Sequence, residues 1–131
     1  MINKSSLLAI KALIELAQLF PGENAGAANI AKKIHAPANY LGKVLRSLVS
    51  QGLVFSQKGK GGGFRLKQSP KKITLFDIVQ SVEDTEKWSL CFLGRKQCLD
   101  SSPCKIHDQW KQVRENNVNF LKSVALSDLA D

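Results

Sequence analysis

The sequence predicts a mostly α fold: a winged helix-turn-helix, in which helices carry a two-stranded β wing, followed by a long C-terminal dimerisation helix. Three observations lead there. Two short amphipathic segments, residues 27–34 and 38–51, are separated by a break at Pro37, and the second is basic on its outer face. Two alternating segments, 53–57 and 64–67, flank a run of lysine and glycine. Residues 102–125 carry an apolar repeat too long for so small a domain to hide.

Taken in order, Leu7, Ile10, Leu13, Ile14, Ala17 and Phe20 fall at helical spacing, so a first helix is expected over 5–20, stopped by Pro21-Gly22. Lys11 and Glu15 interrupt this run, which argues for a folded helix and against an export signal. No apolar run approaches a bilayer span, so the expectation is a cytoplasmic protein without a membrane partner. Ile30, Ala31 and Ile34 form the inward face of the second helix, and Pro37 biases Ala36 away from helix. In the third, Leu41, Val44, Leu45 and Leu48 face inward while Asn39, Tyr40, Lys43 and Arg46 face out. Gly52 stands where a left-handed C-cap belongs.

The two strands enclose Lys58-Gly59-Lys60-Gly61-Gly62-Gly63. Glycine removes the side chain that would keep backbone away from another surface. With Lys58, Gly59, Lys60, Gly61 and Arg65 the hairpin reads as a wing that touches phosphates and reaches into a minor groove. A nucleotide-binding phosphate loop needs a helix after the glycines; here a strand follows, which excludes it. Thr74 is placed to cap a fourth helix, with Asp77 completing a capping box and Ile78, Val79 and Val82 facing inward.

Ser102 is the expected N-cap of the last helix, with Pro103 in its first turn. Ile106, Trp110, Val113, Asn117, Leu121 and Val124 form a seam along roughly 33–36 Å of helix. The seam is expected to pack on the same helix of a second copy; the alternative is a helix folded back on its own core. The chain thus divides into a DNA-binding winged helix (1–82), a cysteine-bearing sensor loop (83–101) and a dimerisation helix with its tail (102–131).

Charge follows this division. Residues 1–72 hold 12 Lys+Arg against 2 acidic residues, a net of +10; residues 73–131 hold 7 against 9, a net of −2. A lobe that displaces counterions from a polyanion requires such segregation, and double-stranded DNA is the implied partner.

All three cysteines and one of the two histidines lie between residues 91 and 107. Cys104 and His107 are three apart, on one face of the expected first turn of the last helix; Cys91 and Cys98 come from a loop containing Gly94. Arg95, Lys96 and Lys105 favour thiolate forms. An odd cysteine count argues against a disulfide framework. Iron–sulfur ligation, thiol redox or persulfide sensing, a structural Cys₃His zinc site and buried inert thiols all remain open, though zinc sites usually contain a close C-x₂₋₄-C pair that this chain lacks. Trp88, Phe92 and Trp110 read as packing residues, and His35 as a turn or DNA-facing residue. An enzyme, such as a thiol oxidoreductase using Cys91 or Cys104, has no C-x-x-C pair and leaves the basic lobe unexplained.

Tyr40-Leu41, Lys43-Val44-Leu45, Leu48, Gly52-Leu53-Val54, Ser56, Gly59, Gly62-Gly63-Phe64, Leu66 and the run from Ile73 to Val79 resemble the signature of the Rrf2-type winged-helix regulators, the IscR, NsrR and CymR types. The resemblance covers nearly the whole chain and implies a homodimeric transcription factor, usually a repressor, on a palindromic operator. In the cluster-binding, IscR-like branch it implies an iron–sulfur cluster on Cys91, Cys98, Cys104 and His107, the last two standing at the IscR-type spacing. There are two departures. Six residues separate Cys91 from Cys98, one more than in the better-known members, and Leu7 and Leu8 stand where the NsrR type draws a carboxylate ligand. The second departure favours His107 as fourth ligand and a 2Fe-2S cluster over a 4Fe-4S one. It leaves as an alternative a cluster-free, CymR-like regulator that responds through its thiols or a partner protein.

Overall fold

The apolar stripes of four helices meet in one core beneath a small hairpin. A computed structural model of the chain describes residues 2–94 and 100–130. Helix α1 (Lys4–Ala17) starts at Asn3, whose side chain accepts from the Ser6 N–H at 2.8 Å. It buries a band of Leu8, Ala9, Ala12, Leu13 and Leu16. Its end corrects the sequence reading. The Gln18 and Leu19 N–H groups turn back onto Glu15 and Leu16, and Phe20 is left 79% exposed.

Helix α2 (Ala27–Ile34) ends at His35, whose φ of 55° is the left-handed conformation that closes a helix. Helix α3 (Ala38–Ser50) follows Pro37 and buries all four expected residues, Leu41, Val44, Leu45 and Leu48. Strands β1 (Val54–Gln57) and β2 (Gly63–Leu66) pair antiparallel with Val54 opposite Leu66 and Phe55 opposite Arg65. Ala25, just before α2, joins them by exchanging two backbone hydrogen bonds with Phe64, at 2.9 and 2.8 Å. The wing is therefore seated on the loop that precedes the helix pair.

Helix α4 (Leu75–Val82) has the expected capping box: Thr74 accepts from the Asp77 N–H and the Asp77 carboxylate accepts from the Thr74 N–H. Helix α5 spans His107–Ser123, about 25 Å of helix. Its start is also a correction. Ser102 and Pro103 do not cap it; residues 100–106 form turns, and the His107 N–H donates to the Cys104 carbonyl at 3.1 Å. Serine-proline is compatible with a helix start, but here the Asp100 carboxylate binds Lys111 and His107, which holds this stretch folded over the first helical turn.

The expected seam on α5 divides. Leu121 is buried in the chain's own core, and beyond the helix Val124 lies half-buried against it. Residues 124–126 then pair with the lead-in to α4, Leu75 N–H to Val124 carbonyl at 3.0 Å and Leu126 N–H to Ile73 carbonyl at 2.7 Å. Leu126 is fully buried among the winged-helix residues. Val113 and Phe120 instead stand 44% and 58% exposed. Replacing Leu126 with alanine should lower unfolding stability by about 2–5 kcal/mol in urea denaturation, whereas exposed Leu129→Ala should cost little. Equal, small effects would contradict this anchoring.

Candidate nucleic-acid interface and cysteine site

Helix α3 follows α2 across a three-residue break and presents Asn39, Lys43 and Arg46 to solvent. Tyr40 is half-buried: its hydroxyl bonds with the Ser5 hydroxyl, and the Lys4 ammonium sits 5.7 Å from its ring centroid. The first turns of α3 are thus held by the first turn of α1. Nothing in the periodicity of either helix signals this cross-link.

Lys58, Gly59, Lys60 and Gly61 are exposed at the wing tip. The glycines divide by role. A side chain at Gly62 would meet the Gln57 carbonyl oxygen at 2.2 Å, and one at Gly63 the Ala25 backbone at 2.7 Å, so these two serve the hairpin's own packing. Gly59 and Gly61 have positive φ with open space around them, and theirs is the backbone that can approach another surface. Arg65 is half-buried at the wing's base, bonded to Asn24 and Gln57 and stacked 4.4 Å over the Phe55 ring. It does not point freely outward with the two lysines.

The cysteine site is assembled from the stretch after α4 and the start of α5. A 3₁₀ turn, Thr85–Ser89, leads to Cys91, which is 5% exposed. The Trp110 indole N–H donates to the Leu90 carbonyl at 3.0 Å, and its ring lies 5.1 Å from that of Phe92, so α5 holds the segment from both sides of Cys91. The Cys91 and Cys104 sulfurs are 3.9 Å apart, too far for a bond between them and close to direct contact. His107, 3% exposed, bonds through Nε2 to Asp100 Oδ1 at 2.7 Å, and the Lys111 ammonium holds the same carboxylate at 3.1 Å.

The hydrogen bond to His107, then the bond to and charge of Lys111, hold the Asp100 carboxyl below its ordinary 3.8; Asp100 in turn raises Lys111 above 10.5. The carboxylate's contribution is therefore present above pH 3.8 and lost as pH falls through the lowered value. The ammonium's is present below 10.5 and lost as pH rises through the raised one. Cys98, with Arg95 and Lys96, lies outside the described residues. Among the described residues no group of three or more His, Cys, Asp or Glu side chains is arranged to hold a metal ion, and no helix is long and apolar enough to cross a membrane.

The separation of the two sulfurs nevertheless suits a metal centre. A tetrahedral metal with metal–sulfur bonds of about 2.3 Å spaces two thiolates about 3.8 Å apart, close to the separation found here. A carboxylate on one nitrogen of an imidazole is the usual means of orienting a ligating ring. Of the residues singled out from the sequence, the structure brings the Cys91 and Cys104 sulfurs together, while the His107 ring is engaged by Asp100. Sequence reasoning missed Asp100, because an exposed aspartate seven residues before a histidine carries no signal by itself.

Comparison with known proteins agrees with this architecture. The family model described as Rrf2, iron-dependent transcriptional regulator, matches residues 2–131. BadM of Rhodopseudomonas palustris, named as a helix-turn-helix-type transcriptional regulator, is 42% identical over 98% of this chain and 80% of its own. The structure of CymR, the global cysteine regulator of B. subtilis, superposes with a TM-score of 0.83 at 26% identity, covering 99% of this chain and 95% of that one. IscR of T. potens superposes with a TM-score of 0.80 at 25% identity, covering 98% and 85%.

Trp110→Phe removes the donor to the Leu90 carbonyl while keeping most of the apolar bulk. Loss of one such bond should speed alkylation of Cys91 in metal-free protein about fivefold, read by peptide mass after an iodoacetamide pulse. An unchanged rate would mean that Trp110 does not hold the segment closed.

Proposed function

This chain belongs to the Rrf2 family of transcriptional regulators, and from that premise we propose that it is a homodimeric cytoplasmic repressor whose grip on a palindromic operator is set by an iron–sulfur cluster on Cys91, Cys98, Cys104 and His107. Its relatives are transcriptional regulators, not enzymes, which removes the thiol-oxidoreductase reading. The observation that carries the cluster proposal is the placing of two thiols and an oriented imidazole at the start of α5, whose far end is anchored in the DNA-binding core.

For DNA contact, Asn39, Tyr40 and Lys43 are nearest the base edges of a major groove, since they open the second helix of the pair. Arg46, Lys58 and Lys60 meet phosphates, and Gly59 and Gly61 let the wing tip into the minor groove. Arg65, bonded to Asn24 and Gln57 at the wing's base, serves DNA binding through the wing and does not itself meet a phosphate. Val113 and Phe120, seven residues apart on α5 and both exposed, supply an apolar face for the same helix of a second copy.

An iron–sulfur cluster, 2Fe-2S ahead of 4Fe-4S, supplies one-electron redox chemistry and a charge that depends on its state. Around it the chain's own residues act mechanically. Asp100 and Lys111 hold His107, and Trp110 holds the segment bearing Cys91. Engaging or releasing the thiols and the imidazole therefore orders or loosens the start of α5. The proximity of Cys91 and Cys104 also supports a second reading, a cluster-free regulator that senses through thiol chemistry or a partner protein.

Anaerobic purification with an absorption spectrum and iron and acid-labile sulfide analysis separates the two. The expected result is a coloured protein with matching iron and sulfide, lost in Cys98→Ala. A colourless protein without iron after anaerobic reconstitution would contradict the cluster and leave the thiol reading.

A further inference from the structure

A polar cluster behind the wing is left unused by that assignment. Asn24 sits at its centre. Its Nδ2 donates to the Gln57 side-chain oxygen at 3.2 Å and to the Gly61 carbonyl at 3.1 Å, and its Oδ1 accepts from Arg65 Nη1 at 3.2 Å. Arg65 Nη1 also reaches Gln57 at 3.4 Å. A guanidinium only donates and a carbonyl only accepts, so these partners fix which way the Asn24 amide points. One side chain thus touches both ends of the hairpin: the tip through Gly61, and the base through Arg65, which lies opposite Phe55 in the register and stacks on its ring. The backbone beside it, Ala25, is paired with Phe64, and a side chain at Gly63 would collide with it.

We propose that Asn24 and Arg65 are positioning residues for DNA recognition: together they set the angle at which the wing presents Lys58 and Lys60 relative to helix α3. The proposal rests on the reading of the hairpin as a DNA-contacting wing and goes further by assigning its orientation to a residue outside both the hairpin and the helix pair. Bracing a wing in one direction lets it fit one groove geometry better than others. Removing the brace leaves the charge of the tip intact and its aim lost, so sequence preference should fall while nonspecific attraction remains.

The test uses a duplex selected by the full-length protein from a random-sequence pool, with a scrambled duplex of equal composition, titrated across salt concentrations. Asn24→Ala and Arg65→Lys should each weaken binding of the selected duplex about fivefold, the effect of losing one ordinary hydrogen bond. Scrambled-duplex affinity and the salt slope should stay unchanged, and the double variant should be little worse than either single one. Lys60→Ala should reduce the slope by about one unit. Asn24→Asp, which keeps the acceptor for Arg65 and loses the donor to Gly61, should also lose preference, read as the ratio of selected to scrambled affinity because its added negative charge weakens both duplexes. Should Asn24→Ala prove poorly folded by thermal melting, this near-isosteric variant decides the matter.

The proposal is overturned if Arg65→Ala lowers the salt slope by about one unit while Asn24→Ala and Asn24→Asp bind as wild type does, which would make Arg65 a phosphate contact. It is also overturned if both duplexes weaken in parallel, the mark of general destabilisation. An unchanged slope in Lys60→Ala together with Lys58→Ala would instead remove the DNA-contacting wing itself, and the brace with it.

Discussion

The short pairing between residues 73–75 and 124–126 is the constraint on which the rest of the molecule depends. Two backbone hydrogen bonds bring the end of the chain against the lead-in to α4 and seat Leu126, fully buried, in the winged-helix core. Without it, α5 would leave the domain as a projecting arm. With it, the helix is fixed at its C-terminal end to the winged-helix core, and at its N-terminal end it begins at His107. The same lead-in carries Thr74, whose capping box with Asp77 starts α4. Helix start, chain end and core are therefore ordered together.

A second connection runs along the other side. The Glu83 carboxylate, at the end of α4, accepts from the Asn3 N–H and from the fully buried Ser6 hydroxyl, and the neighbouring Ser5 hydroxyl bonds with Tyr40 at the start of α3. The first turn of α1 thus sits between the segment leading to Cys91 and α3, the helix proposed to face DNA. Packed, hydrogen-bonded elements of this kind have few alternative arrangements, which is what a change at the cysteine site needs if it is to be felt at α3. The wing is seated separately, on Ala25 and Asn24.

What was legible in the sequence follows from what each pattern encodes. The buried stripe of α3 and the existence of the two strands follow from periodicity, and Thr74 with Asp77 from local chemistry; all three were readable, while the strand register was not. The end of α1 was not, because Phe20 keeps the helical spacing beyond the point where the backbone has already turned. The start of α5 was misplaced for a related reason: Ser102-Pro103 is a plausible cap, and only the tertiary clasp of Asp100 on His107 and Lys111 decides against it. At the site, the approach of Cys91 to Cys104 was readable from the concentration of thiols, but the helical face expected to join Cys104 and His107 is not there, because α5 begins only at His107. The burial of Arg65 depends on Asn24, forty-one residues earlier, which no local pattern reveals.

The central claim is that the cysteine site and the DNA-reading surface are energetically coupled. The most direct measurement is the affinity of one selected duplex for the cluster-loaded protein, the same protein after its iron is removed anaerobically, and Cys104→Ala, all at one salt concentration. Coupling predicts that loaded and stripped protein differ by about tenfold or more, equivalent to about 1.4 kcal/mol, and that Cys104→Ala behaves as stripped protein does whatever its exposure to iron and sulfide. Indistinguishable affinities in all three, with the dimer intact, would contradict it and leave a DNA-binding protein whose cysteine site serves some other end.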